Sequence, residues 1–169
     1  MNEFINALAC QQRNELIPEE DDFFGALIGE WNFEWVDQYD KETPRHVTGE
    51  WIFSWVLEGC AIQDVFICPS RKERKSDIQP DAEYGTTIRI YNARNRTWDI
   101  VYGCSAEMTR LEARRENEKI VLTEITNQQM KWIFSDITEN SFHWQRIVWS
   151  NEEKEWEIGA DLSAKRKTK

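Results

Sequence analysis

Gly29-Glu30-Trp31-Asn32-Phe33-Glu34-Trp35 and Gly49-Glu50-Trp51-Ile52-Phe53-Ser54-Trp55 are two copies of one pattern, Gly-Glu-Trp-x-Phe-x-Trp. In a strand, side chains at i, i+2 and i+4 share a face. Trp31, Phe33 and Trp35 then form one aromatic stripe, and Trp51, Phe53 and Trp55 a second. On a helix each triplet would scatter around the circumference. Two such strands side by side make a wall that must cover a core or line a cavity for an apolar or flat ligand. Small barrels fill their interior with side chains and wider ones keep a cavity, so both readings stay open on the sequence.

Outward from these stripes the chain reads as short apolar-aromatic runs broken by polar turns. Ten strands are expected near 30–37, 47–57, 60–67, 84–92, 97–103, 108–115, 118–126, 129–137, 141–149 and 154–163. Glu58-Gly59, Asn95-Arg96, Asn117-Glu118 and Glu139-Asn140 carry tight-turn chemistry between them. Sequential strands with short links, and no helices between them for parallel crossovers, point to an up-and-down meander. Closure into an antiparallel barrel of about 8–10 strands would remove its unpaired edges. Before the strands, residues 1–17 suggest an amphipathic helix with Ile5, Leu8, Ala9 and Leu16 on one side. Pro18 and the acidic run Glu19 to Asp22 end it, and Phe23 to Ile28 adds a helical turn. The expectation is one mostly-β domain over 1–169: a helical segment to residue 28, a barrel over 29–163 and a basic tail over 164–169.

The 169 residues are enough for a substantial core, and nine Trp, eight Phe and four Tyr make it aromatic. A formal charge of -10 argues against nucleic-acid partners, which call for a basic footprint, and against docking on anionic lipid. Cys10, Cys60, Cys68 and Cys104 contain no C-x-x-C pair, so neither a metal site nor a redox motif is expected. The chain starts without a signal-peptide pattern and has no apolar stretch near the roughly 20 residues of a membrane span. A cytoplasmic protein with free thiols follows. Phosphate-loop and dinucleotide motifs are absent, and no cofactor is called for.

Polar groups inside apolar strands are the candidate chemistry. Asp64 shares strand parity with Ile62 and Phe66, and Arg146 shares it with Phe142, Trp144 and Val148. Arg89 lies within Thr86-Thr87-Ile88-Arg89-Ile90-Tyr91. If these three point inward they must pair: Asp64 with Arg89 or Arg146, leaving one guanidinium for a ligand carboxylate or phosphate. His46 falls in a polar stretch and reads as exposed. His143 alternates against Phe142 and Trp144, which favours the outer face; a cavity acid–base or a heme ligand are its alternatives. The connection from Pro69 to Glu83, with Arg71, Lys72, Arg74 and Lys75 followed by Asp77, Asp81 and Glu83, is either a disordered surface loop or a lid over a barrel mouth.

Gly29-x-Trp31 after a helical segment resembles the Gly-x-Trp opening of the lipocalins within the calycin superfamily. In that superfamily the Trp packs across the barrel floor under a late basic residue, a position Arg166 matches. Trp51-Ile52-Phe53-Ser54-Trp55-Val56-Leu57-Glu58-Gly59, Ile62-Gln63-Asp64-Val65, Tyr84-Gly85-Thr86-Thr87-Ile88-Arg89-Ile90-Tyr91, Trp132-Ile133-Phe134-Ser135-Asp136-Ile137 and Ser141-Phe142-His143-Trp144 together resemble an uncharacterised bacterial lipocalin-like family, the DUF1579-type group, over roughly residues 25–166. That family favours a Gly in the last hairpin, and Ser150 to Glu155 has none. The resemblance implies a small calycin-type barrel and no reaction.

These readings converge on a barrel that binds a small apolar or aromatic ligand with an anionic group. Trp31, Trp51, Trp55, Trp98, Trp132 and Trp144 are its candidate walls, and Asp64, Arg89 and Arg146 its candidate anchors. The alternatives are a metal-independent enzyme using Asp64 or His143 as acid or base, and a non-catalytic interaction module or homodimer.

Overall fold

The computed structural model describes residues 2–76, 79, 81–105 and 107–168; Asp77 of the 69–83 connection and Lys169 of the basic tail lie outside them. Ten antiparallel strands form the barrel: β2 (Gly29–Asp37), β3 (Arg45–Val56), β4 (Ala61–Cys68), β5 (Glu83–Asn92), β6 (Thr97–Gly103), β7 (Met108–Glu116), β8 (Lys119–Glu124), β9 (Met130–Ser135), β10 (Ser141–Ser150) and β11 (Glu155–Arg166). Each pairs with its neighbour in sequence, and β11 closes the circuit on β2. The meander and its closure follow the sequence pattern. The turns fall at the polar breaks, with left-handed backbone at Arg96 and Asn117. Lys154 takes that conformation in the last hairpin, where no glycine is present.

The two aromatic repeats lie side by side on neighbouring strands. Trp31 pairs with Trp51, Gly29 with Phe53 and Phe33 with Gly49. The inward residues of β2, Trp31, Phe33 and Trp35, are all buried. The glycines have separate steric reasons. A Cβ on Gly49 would collide with the Phe33 ring and lie 2.5 Å from the Ile67 carbonyl oxygen. Gly29 has φ +123°, and a Cβ there would stand 2.6 Å from Arg166 Nη1. Glycine alone meets both demands at position 29.

The N-terminal segment departs from the expected helix. Only Glu3–Leu8 (α1) is α-helical, and none of its residues is buried. A six-residue helix with no packed face is too short to persist through residue 17. Ala9–Cys10 (β1) instead pairs with Val56 and Trp55 on β3. Ile5, Leu8, Ala9 and Leu16 stay out of the core, while Ile17, Phe23, Phe24 and Leu27 enter it. Two short 3-10 turns, Glu19–Asp21 and Gly25–Leu27, carry this apolar plug into one end of the barrel.

The other chain end also differs from expectation. β11 runs through Arg166, three residues into the expected tail, because Arg166 is a structural clamp. Its guanidinium stands 4.1 Å from the Trp31 ring centroid. It donates to the carbonyls of Ala26 (2.9 Å), Ile28 (2.7 Å) and Glu139 (2.6 Å). The plug, the first strand and the last strand are thereby tied at one point.

Candidate functional site at the barrel mouth

The two ends of the barrel treat their tryptophans differently. At the plugged end, Trp31 donates its indole N–H to the Leu27 carbonyl (2.7 Å) and Trp98 donates to that of Asp21 (2.8 Å). At the opposite end, the buried N–H groups of Trp35, Trp51, Trp132 and Trp144 make no well-formed hydrogen bond among the described residues, and neither does Arg146 Nε. Those of Trp35 and Trp51 face the carboxylates of Asp37 and Asp64. Trp132 and Trp144, 9% and 5% exposed, have no such partner. Buried donors are satisfied in the great majority of native sites. Arg89 Nε and Nη1 and Thr97 Oγ1, away from this end, also lack a well-formed hydrogen bond, so what sets this end apart is that its unpartnered groups are indoles grouped with Arg146.

All five residues line a cavity of about 380 Å³, within the range of small-molecule sites. Its aromatic side is interlocked. Trp35 stacks on Trp144 at 5.4 Å between centroids, Trp132 meets Trp144 at 5.8 Å, and Tyr102 meets Trp132 edge-on at 5.4 Å. Phe66 and Thr87 complete the depth, and Asp37, Arg45, Asp81, Ala82 and Glu83 form part of the rim.

Strand geometry explains the position of Arg146. The β10–β11 register slips between Arg146 and Ile147, which leaves Gly159 unpaired opposite them. Such a bulge re-aims the side chains around it. A Cβ on Gly159 would lie 3.2 Å from Arg146 Nε, so the glycine leaves room for the guanidinium. Arg146 makes no ion pair among the described residues.

The rim charges near it are already engaged. Asp37 takes a bidentate Arg45 (2.8 and 2.7 Å). Burial works against the Asp37 carboxylate, but Arg45 and the Trp35 N–H outweigh it and hold the carboxyl below its usual range. Arg45 also donates to the Asp81 carbonyl (3.0 Å). Glu83 accepts the Tyr102 hydroxyl. Burial pushes the Glu83 carboxyl up, Tyr102, Arg146 and Arg45 pull it down, and Glu107 adds to the rise.

The connection from Pro69 to Glu83 is anchored at several of its described residues. Arg71 meets Glu50 (2.6 Å), and Glu73 accepts from Thr48 (2.6 Å). Arg74 donates to the Glu83 carbonyl (3.0 Å). Its last residues, Asp81 to Glu83, line the cavity.

Of the nine residues singled out in the sequence, Trp51, Trp132, Trp144 and Arg146 come together on this cavity. Trp31 and Trp98 lie under the plug, and Trp55 lies beside β1. Asp64 and Arg89 are sealed in the core at 1% and 0% exposure, 2.6 Å apart. The Arg89 guanidinium is sandwiched between Phe24 and Phe53, 5.1 and 5.2 Å from their centroids. Asp64 Oδ1 accepts the Thr87 N–H (3.1 Å). That pair is structural, because the plug removes the space a ligand would need. His143 sits on the outer face, 2.8 Å from Asp161, and therefore cannot act inside the cavity. His46 is exposed. Trp35, Tyr102, Asp37, Arg45 and Glu83 are the site residues not singled out. The inward parity of Trp98, Ile100 and Tyr102 was the signal available for Tyr102.

No known family model matches the chain, and no curated protein matches it either. Solved structures do. Rv2717c from M. tuberculosis superimposes with a TM-score of 0.59 at 9% identity, over 90% of this chain and 99% of that one. The S-type phycobiliprotein lyase CPES from Guillardia theta gives 0.60 at 11% identity, over 92% and 96%. At these identities the likeness is one of fold. This chain is a calycin-like barrel. Among the described residues, no group of His, Cys, Asp and Glu could hold a metal ion, and no helix is long and apolar enough to cross a membrane.

Proposed function

We propose that the barrel binds a small, flat, mostly apolar or aromatic molecule carrying an anionic group. Trp35, Trp51, Trp132, Trp144 and Tyr102 form its walls and Arg146 its anion anchor. One observation carries this reading: a guanidinium with no ion pair beside buried indole donors with no acceptor, all on one cavity. A planar ligand with carboxylate and carbonyl oxygens would satisfy them together. The sealed Asp64–Arg89 pair leaves Arg146 as the available inward cation, and arginine suits a carboxylate bidentately. CPES, whose name makes it a phycobiliprotein lyase, has a barrel of this fold, which is compatible with the reading without carrying it. We also assign the chain to the bacterial lipocalin-like family its motifs resemble and to the cytoplasm, where its four free cysteines would stay reduced.

Tryptophan fluorescence tests the reading, since four indoles line the cavity. Flat aromatic carboxylates should quench it saturably. Their neutral amides should bind at least about tenfold more weakly, the scale of one lost charge-assisted hydrogen bond. Arg146→Met should erase the difference between acid and amide. Equal affinity of acid and amide in the parent chain would refute the role of Arg146.

A further inference from the structure

Glu83 and Tyr102 form a polar pair on the cavity that ligand anchoring does not use. Glu83 enters at the first residue of β5, and Tyr102 near the end of the adjacent strand β6. Both side chains line the cavity. Tyr102 is fixed on three sides. Its ring packs edge-on against Trp132 at 5.4 Å, and its hydroxyl donates to Glu83 Oε1. Gly85 clears its seat, since a Cβ there would stand 2.6 Å from Tyr102 Oη. Glu83 Oε2 makes no hydrogen bond among the described residues, and Glu83 lines the cavity. Arg146 and Arg45 act on the same carboxyl through space, and Glu107 opposes them.

A carboxylate with one oxygen held and one free, beside a positioned hydroxyl and an unpaired guanidinium, forms a general-base constellation. We infer that Glu83 and Tyr102 catalyse proton transfer on an aryl-substituted 2-oxo acid, interconverting its keto and enol forms. This rests on the binding reading above: aromatic walls take the aryl ring and Arg146 takes the carboxylate. The benzylic C–H bond breaks, its proton passes to Glu83 Oε2, and its electron pair becomes the new C=C bond. The carbonyl π pair moves onto oxygen, which receives the Tyr102 proton as that hydroxyl turns from Oε1. The proton on Glu83 then returns to Tyr102. The reaction is an isomerisation and needs no oxidant, reductant or metal. Burial, which lifts the Glu83 carboxyl above its ordinary range, brings the base nearer the working pH.

The probe is phenylpyruvate, with 3-phenylpropanoate as a companion that has the ring and carboxylate but no ketone. The full chain is incubated with phenylpyruvate in D2O. Loss of the benzylic proton signal is followed by NMR, and enol formation by the absorbance of its borate complex. The parent chain should accelerate exchange. Glu83→Gln should reduce that acceleration about 100-fold, within the range for a lost general base, while its melting curve confirms a folded barrel. Tyr102→Phe should lower kcat with little change in KM, and Arg146→Met should mainly raise KM. Both acids should quench tryptophan fluorescence in an Arg146-dependent way. Quenching by either acid without accelerated exchange of phenylpyruvate overturns the proton-transfer inference and leaves the binding reading standing. Exchange at the parent rate in folded Glu83→Gln also overturns it. Failure of both acids to bind overturns both readings.

Discussion

Replacing Arg89 with Met should cost about 3–5 kcal/mol, the usual penalty for leaving one member of a buried ion pair alone. Asp64 and Arg89 are 1% and 0% exposed and 2.6 Å apart, so water cannot take over either charge. Total stability for a domain of this kind is about 5–15 kcal/mol, so the variant sits near the edge of folding. The penalty should also depend on pH. Burial already pushes the Asp64 carboxyl up, against the pull of Arg89, Trp51 and Thr87. Without the guanidinium, the folded state should keep Asp64 protonated while the unfolded chain ionises near 3.8. The folded form then binds the extra proton, and stability falls as pH rises above that value, by about 1.4 kcal/mol per unit until the raised folded pKa is reached. The parent should show a slope of the same sign over a narrower pH range, because Arg89 opposes the rise of the Asp64 carboxyl. Adding Asp64→Asn to Arg89→Met removes the orphaned charge while leaving an acceptor for the Thr87 N–H. The double variant should therefore recover about 2 kcal/mol or more relative to Arg89→Met at pH 7. Urea unfolding at pH 5 and pH 7 measures all of this. An Arg89→Met cost below about 1 kcal/mol, or a double variant no more stable than that single one, would refute a sealed pair.

Three further outcomes follow from the same geometry. Gly29→Ala should destabilise the barrel by about 1–3 kcal/mol in thermal unfolding, because alanine must adopt φ +123° and displace the Arg166 clamp; an unchanged melting temperature would contradict it. Arg71 first, and Lys167 with it, hold the Glu50 carboxyl down at about 2 against an unfolded value of 4.5, so its stabilisation is present above pH 4.5 and lost as pH falls toward 2. Glu50→Gln should flatten that part of the acid-unfolding curve. Gly159→Val should push Arg146 from its place, weakening binding of aromatic acids but leaving affinity for their amides intact; equal losses for both would point to general damage.

The strands were legible because each alternates inward and outward residues over a full span, as in Trp31-x-Phe33-x-Trp35. Closure of the first strand on the last follows because every strand connection except that between Cys68 and Glu83 is short. The same parity placed Asp64 and Arg146 inward. It could not tell which end of the barrel is open. That depends on residues 17–28 folding back into one end, a non-local event written only as Ile17, Phe23, Phe24 and Leu27 in an otherwise polar segment. The plug turns Trp31 and Trp98 into satisfied core and seals Arg89 against Phe24. At the open end, Glu83 read as loop because its importance comes from Tyr102 across a strand pair. Arg45 sits where β3 starts ahead of its expected first residue, and Asp37 ends β2 beyond its aromatic stripe. The bulge at Gly159, which frees Arg146, has no signature beyond one glycine in a strand.

Native mass spectrometry of protein purified without denaturation, before and after incubation with a mixture of flat aromatic acids and their amides, tests the binding claim most directly. The parent chain should carry one small anion, either co-purified or taken from the acids in the mixture, and Arg146→Met should carry none. A bare chain mass for the parent after incubation, or adducts formed equally by acids and amides and unchanged in Arg146→Met, would contradict the account.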